Sequence, residues 1–140
     1  MKIGFTGTQL GMTDRQKSLI KEFISRNKKR IHEAHHGDCV GADKDFHKIM
    51  RRENIPIVIH PPTNSSKRAF CQGVVKDPKP YLDRNQDIIN ESALLIAAPK
   101  DFTKPESLRG EGTWYTITHA EKKGKKVLIV FPDGSVQKLN

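Results

Sequence analysis

Cysteine, tryptophan and tyrosine are all scarce in this chain: two, one and two among 140 residues. Two cysteines, Cys39 and Cys71, are too few for a disulfide framework, and neither has a partner at metal-ligand spacing. The six histidines lack an i, i+4 pair with a third ligand, and the adjacent His35 and His36 tend to point apart, so no metal site and no cofactor is expected. No serine or cysteine sits in a nucleophile elbow; Cys39, at a helix start where a thiol pKa can fall, has no assignable base and reads as a small turn residue. No apolar run approaches the roughly 20 residues that cross a bilayer. Met1-Lys2-Ile3-Gly4 runs straight into an apolar segment without the architecture of a signal peptide. These absences lead to the expectation of a cytoplasmic protein, in the host cytoplasm if phage-encoded. Without internal repeat, low-complexity segment or linker, residues 1–140 read as one domain of ordinary size.

Positive charge is what the chain has in excess. There are 25 Lys and Arg against 16 Asp and Glu, a formal charge of +9, which sets up a field attractive to polyanions and phosphorylated small molecules. The basic residues are scattered along the sequence (Lys28 to Arg30, Arg51-Arg52, Lys67-Arg68, Lys122 to Lys126), with no single stripe and no interleaved aromatics. A dedicated nucleic-acid groove is therefore not expected, and a solvated basic surface is. Only 35% of residues are hydrophobic, but they fall in compact blocks, as in a chain that folds.

Five of those blocks are short, bounded by turn residues, and read as buried strands: Lys2 to Thr6, Ile31 to His35, Ile57 to His60, Ala93 to Ala98, and Lys126 to Phe131. Helical periodicity separates them. Thr13 to Asn27 carries Leu19, Ile20, Phe23 and Ile24 on one face with Thr13 as N-cap; Ala42 to Arg52 carries Phe46, Ile49 and Met50. Further helices are predicted over Tyr81 to Asn90 and Thr113 to Lys123, the last ended by Gly124. Alternating strands and helices predict an α/β fold: a three-layer, Rossmann-like open parallel sheet flanked by helices. Pro61 to Pro80 interrupts the alternation with four prolines and no period, as a functional or mobile loop would.

In such a sheet, ligands bind beyond the carboxyl ends of the strands, where strand order reverses. Four turns fall there. Thr6-Gly7 follows the first strand. Gly37-Asp38-Cys39-Val40-Gly41-Ala42-Asp43 follows the second and opens a helix whose unpaired N–H groups suit a phosphate or ribose, although Asp38 or Asp43 as a plain helix cap explains the same residues. His60-Pro61-Pro62 follows the third and opens the proline-rich loop that holds Lys67-Arg68. Arg109-Gly110-Glu111-Gly112-Thr113 precedes the last helix and has the composition of an anion nest, with Thr113 and the first-turn amides as donors and Arg109 as charge partner; Thr113 as a mere N-cap is the plainer alternative. Arg84 stands on the helix before the strand Ala93 to Ala98, within reach of the cleft rim.

Taken in order, "GFTGT", "HGDCVGAD", "IVIHPP", "YLDRNQDIINESALLIAAP", "RGEGTW" and "GKKVLIVFPDG" resemble the SLOG superfamily, the Rossmann-like group that holds the LOG-type nucleotide phosphoribohydrolases and the DprA DNA-processing proteins. The resemblance runs from about Lys2 to Gly134 and looks closest to small stand-alone bacterial and phage members. It implies a nucleotide or nucleotide-derived signalling ligand at the C-terminal edge of the sheet. LOG-type enzymes carry an Arg-Lys pair and a Pro-Gly-Gly-x-Gly-Thr-x-x-Glu motif whose glutamate assists N-glycosidic cleavage. Arg84 matches the arginine, Asn85 stands in place of the lysine, Gly110, Gly112 and Thr113 match the phosphate-binding part, and Thr116 falls where the glutamate belongs.

Cleavage of that bond needs a carboxylate to steady an oxocarbenium-like centre, which a threonine does poorly. Glu111, Asp38 and Arg84 are the remaining catalytic candidates. The reading is thus a nucleotide-binding sensor, carrier or sequestering protein. Its pocket is expected to use Thr6 and Gly7 as floor, Gly37, Asp38, Gly41 and Asp43 for ribose or one phosphate, Arg109, Gly110, Gly112 and Thr113 for another, and Lys67, Arg68 and Arg84 to close over the ligand. N-glycoside hydrolysis of nucleoside monophosphates is the first alternative and nucleic-acid binding, as in the DprA branch, the second. A homodimer or higher oligomer is expected by analogy with related folds.

Overall fold

In a computed structural model describing residues 1–140, the chain forms seven strands and four α-helices. In chain order they are β1 Lys2–Gly7, α1 Asp14–Asn27, β2 Glu33–His36, α2 Ala42–Arg52, β3 Ile57–Ile59, β4 Val74–Val75, α3 Tyr81–Glu91, β5 Leu94–Ala98, α4 Gly112–Lys122, β6 Lys126–Val130 and β7 Val136–Leu139. They make one sheet in the order β4-β3-β2-β1-β5-β6-β7. Every pairing is parallel except β6 with β7. The predicted α/β three-layer architecture is what the chain adopts, with two additions. β7 is an antiparallel edge hairpin closed through Gly134, and β4 is a two-residue strand inside the proline-rich loop. Both have exposed side chains, which is why neither produced an apolar block. β2 begins two residues later than the apolar run suggested, because Lys28–Arg30 makes one 3₁₀ turn and Ile31 closes it.

The helices cover both faces. α1 and α2 pack on one through a core that includes Ile3, Phe5, Ile20, Ile24, Phe46, Met50 and Ile59; Phe5 and Phe46 stack at 4.4 Å. α3 and α4 pack on the other through Ile88, Ile89, Leu95, Trp114, Ile117 and Ile129. Central strands buried on both sides need apolar residues at every position, and β6 (KVLIV) supplies them after its first. No helix is long and apolar enough to cross a membrane.

Helix ends fix where each strand hands over to the next element. Thr13 caps α1 with a reciprocal box: its Oγ1 accepts the Gln16 N–H at 3.1 Å and Gln16 Oε1 accepts the Thr13 N–H at 2.9 Å. The buried Gln16 Nε2 then donates to the carbonyls of Pro99 and Val130 at 3.0 and 2.9 Å, tying α1 to the ends of β5 and β6. Gly124 follows α4 with φ 73°, and the Lys125 N–H returns to the Ala120 carbonyl at 3.0 Å.

Strand order turns around at β1: β2 and β3 lie to one side, β5 and β6 to the other. The switch point is therefore between the ends of β1 and β5. There the loops after β1 and β2 touch through Gly41, whose φ is 89° and where a Cβ would lie 2.2 Å from the Gln9 carbonyl oxygen. Gly41→Ala combines left-handed strain with a backbone clash, and chemical denaturation should show a loss of about 2 kcal/mol or more.

Candidate functional site

A cleft of about 750 Å³ opens at the switch point, within the usual range for small-molecule sites. Its floor comes from the end of β1 and the turn after β2, one wall from α3, the other from the segment leading into α4, and its rim from the proline-rich loop. Of the residues singled out by sequence, Thr6, Gly7, Gly37, Asp43, Lys67, Arg84, Arg109, Gly110, Glu111, Gly112 and Thr113 all line it. Asp38, Gly41 and Arg68 do not: Gly41 makes the loop contact described above, and the other two are engaged with each other.

Asp38 is fully buried in the left-handed region (φ 59°), a conformation that Asp tolerates better than most residues. One carboxylate oxygen accepts the Arg68 Nε–H at 2.7 Å, the other accepts the Cys71 N–H at 2.8 Å, and the Asp38 carbonyl accepts the Ala69 N–H at 2.7 Å. Arg68 in turn lies over the Phe70 ring, 4.7 Å from its centre. The Val40 N–H donates to the Lys67 carbonyl at 2.9 Å. Together these contacts dock the Pro61 to Pro80 loop on the turn after β2 and hold Asn64, Ser66 and Lys67 at the cleft.

Arg84 sits in the floor rather than at the rim, only 5% exposed. Its Nη1 donates to the carbonyls of Gly37 and of His60 (2.9 Å for the latter), its Nη2 to Cys39 Sγ at 3.3 Å, and its Nε to Asn85 Oδ1 at 2.6 Å. No carboxylate forms an ion pair with it. Gly37 is required by this arrangement, since a Cβ there would lie 2.3 Å from the guanidinium.

The turn after β2 already holds an anion of its own. The Asp43 carboxylate accepts the Cys39 N–H at 3.1 Å, while the Ala42 N–H goes to the Thr8 carbonyl at 2.9 Å. Burial pushes the Asp43 carboxyl up to about 6, against the opposing pull of Arg84. The Cys39 thiol is raised by burial and by Asp43, so helix position does not activate it.

The start of α4 is different. Its N-cap is Glu111, not Thr113, and it makes no side-chain cap. The first-turn amides of Gly112, Thr113 and Trp114 have no partner within the chain. Gly110 takes φ 74°, which favours glycine, but a Cβ on Gly112 would meet no atom within 4 Å, so packing does not demand glycine there. Thr116 is 1% exposed and donates its hydroxyl to the Gly112 carbonyl at 2.8 Å, inside its own helix and outside the cleft lining. The carboxylates that do line the cleft are Asp43 and Glu111.

Asn64, Ser66, Tyr81 and Tyr115, which the sequence did not single out, also line the cleft, together with Thr8 and Lys100 from the turns after β1 and β5. Asn64 and Ser66 reach the cleft only through the docked loop.

Histidine pairing was equally invisible in the sequence. The fold brings His36, His47 and Cys71 together with ligand atoms within 4.8 Å of one another. Hydrogen bonds engage both nitrogens of the His36 ring. The Asp38 N–H donates to His36 Nδ1 at 2.9 Å, so the single proton of the neutral ring is on Nε2, and that nitrogen lies 2.9 Å from His47 Nδ1. A protonated Nε2 offers a metal no lone pair. His35 and His60 form a second buried pair at 2.8 Å, with Glu33 on the far nitrogen of His35 at 3.0 Å.

No family model matches the sequence, and no curated protein matches it well enough to count as a relative. Solved structures do resemble it. The X-ray structure of TM1055, a structural-genomics target, superposes with a TM-score of 0.64 over 90% of this chain and 71% of its own, at 15% identity. The X-ray structure of DNA processing protein A (DprA) from Streptococcus pneumoniae superposes with a TM-score of 0.64 over 91% of this chain, at 12% identity, and this chain spans 49% of its length. At such identities the likeness is one of fold, an α/β architecture around a mostly parallel sheet.

The buried histidines set the acid limit of the fold. Burial pushes His36 down to about 3 and His60 down to about 4, and lowers His47 as well, against 6.5 when exposed. Folded values below the unfolded one mean that the unfolded chain takes up protons first, so stability is complete above 6.5 and is lost as pH falls from there towards 4. Asp43, raised to about 6, works the other way, gaining stability as pH falls through 6. The histidines outweigh it, and unfolding titrations should lose on the order of 2 kcal/mol net between pH 7 and pH 5.

Proposed function

We propose that the protein binds a nucleotide or nucleotide-derived ligand in the switch-point cleft, acting as a sensor, carrier or sequestering protein. The observation that carries this reading is the open first turn of α4. Three backbone amides point unpartnered from a helix N-terminus that lines the cleft, with Arg109, Lys100 and the hydroxyl of Thr113 beside them. Such a terminus concentrates partial positive charge and suits a phosphate.

The other end of the cleft favours a different part of the ligand. A phosphate brought against the buried Asp43 carboxylate would meet like charge, whereas ribose hydroxyls can donate to it. Tyr81, Tyr115, Leu10 and Leu82 also line the cleft and provide ring and aliphatic surface on which a base can stack. The SLOG-like fold, shared with TM1055 and DprA, is compatible with such a ligand.

Hydrolysis of an N-glycosidic bond is the second reading. Thr116 counts against it, because its hydroxyl is turned into its own helix. Asp43 keeps it open: a cleft carboxylate raised to about 6 has the character of a general acid near neutral pH. Incubation with a panel of nucleoside mono-, di- and triphosphates, read by thermal shift and by chromatography for free base, separates the two. Binding predicts a rise in Tm without base release; release at steady turnover overturns the pure-binding reading in favour of hydrolysis, and no shift with any member overturns both.

Gly112→Val with Thr113→Ala gives the sharper test. Position 112 has room for a side chain within the fold, so the variant should melt close to the parent while its affinity for the nucleotide that stabilises the parent falls at least tenfold. Unchanged affinity would leave the first turn of α4 as ordinary helix capping.

A further inference from the structure

The basic residues that look scattered in the sequence are not all scattered in the fold. Lys17 and Lys21 stand one turn apart on α1, Lys48 and Arg52 one turn apart on α2, and the four flank a groove of about 200 Å³ between the helices. Ile49 is buried in the floor of this groove. It shares no residue with the nucleotide cleft.

Two features make this more than a solvated face. None of the four cations forms an ion pair, although acidic residues are near: Glu22 pairs with Arg26, and Glu53 with Lys28. The single carboxylate in the groove, Asp45, accepts the Met12 N–H at 2.9 Å, so it is held by the backbone at the start of α1. Each i, i+4 pair sets like charges side by side, which costs a few tenths of a kcal/mol in an isolated helix. An anion seated between the rows would reverse that cost.

We propose that the α1–α2 groove is a docking surface for the phosphodiester backbone of a nucleic acid. Cations in two facing rows suit a chain of phosphates entering a trough better than the plane of a membrane surface. No aromatic side chain lines the groove, so no base is stacked and binding is indifferent to sequence. The proposal is independent of what the switch-point cleft binds.

The test is fluorescence anisotropy with two labelled single-stranded oligonucleotides of unrelated sequence. If the four cations engage four phosphates, affinity should fall about 50-fold between 50 and 200 mM salt, with a log–log slope of about −3. Lys17, Lys21, Lys48 and Arg52 all changed to Gln should abolish that dependence. A control with Lys104, Lys122, Lys126 and Lys138 changed to Gln removes the same number of charges from elsewhere on the surface, and should keep it. Saturating mononucleotide should leave the parent's oligonucleotide affinity unchanged.

Equal losses in both variants, strong preference for one sequence, absence of binding at 50 mM salt, or binding to phosphatidylserine vesicles in place of oligonucleotide would each overturn the proposal. Should the groove variant melt early, lysine acylation of the native protein replaces it: bound oligonucleotide should protect Lys17, Lys21 and Lys48, and unprotected lysines there would refute the docking surface.

Discussion

A buried arginine without a carboxylate partner is the constraint on which the cleft depends. Removing a guanidinium from water is costly, and in Arg84 the cost is met by two backbone carbonyls, a thiol and a side-chain amide rather than by a direct ion pair, with the Asp43 carboxylate near enough to feel its charge. Those carbonyls belong to Gly37 and His60, at the ends of β2 and β3, while Arg84 itself is in α3 on the opposite wall. One side chain therefore sets the spacing between the floor and a wall. The absence of a Cβ at Gly37 is a consequence, since the guanidinium lies where that atom would be.

The second organising contact is Asp38 with Arg68. A carboxylate buried in a turn, accepting from a guanidinium and from the Cys71 amide, docks the twenty-residue proline-rich loop so that it forms the cleft rim. Asp43, five residues on, does the complementary job inside the turn by accepting from the Cys39 amide. The cleft thus has a self-satisfied end around Asp43 and Arg84 and an open, donor-rich end at α4. The nucleotide proposed for the cleft would set its anionic group at the α4 end and its hydroxyls against Asp43.

Much of this was legible from residue pattern. Five apolar blocks and four periodic segments gave the three-layer sheet, and glycine-rich turns after strands pointed to the edge where the cleft opens. The limits were physical. β4 and β7 have exposed side chains and no apolar signature. The burial of Arg84 could not be read from its neighbours, because its partners are carbonyls 24 and 47 residues away. Asp38 looked like a ligand group, and its partner lies 30 residues downstream in a loop without periodicity. The basic residues of α1 and α2 looked dispersed because helix packing, not sequence proximity, brings them together.

The most direct test of a nucleotide in the switch-point cleft is residue-resolved: amide chemical shifts of the isotope-labelled protein titrated with a nucleoside monophosphate. The account predicts saturable shifts centred on Gly110, Gly112, Thr113 and Trp114, with smaller ones at Thr8 and Tyr81. Shifts that miss the first turn of α4, or that never saturate, would contradict it.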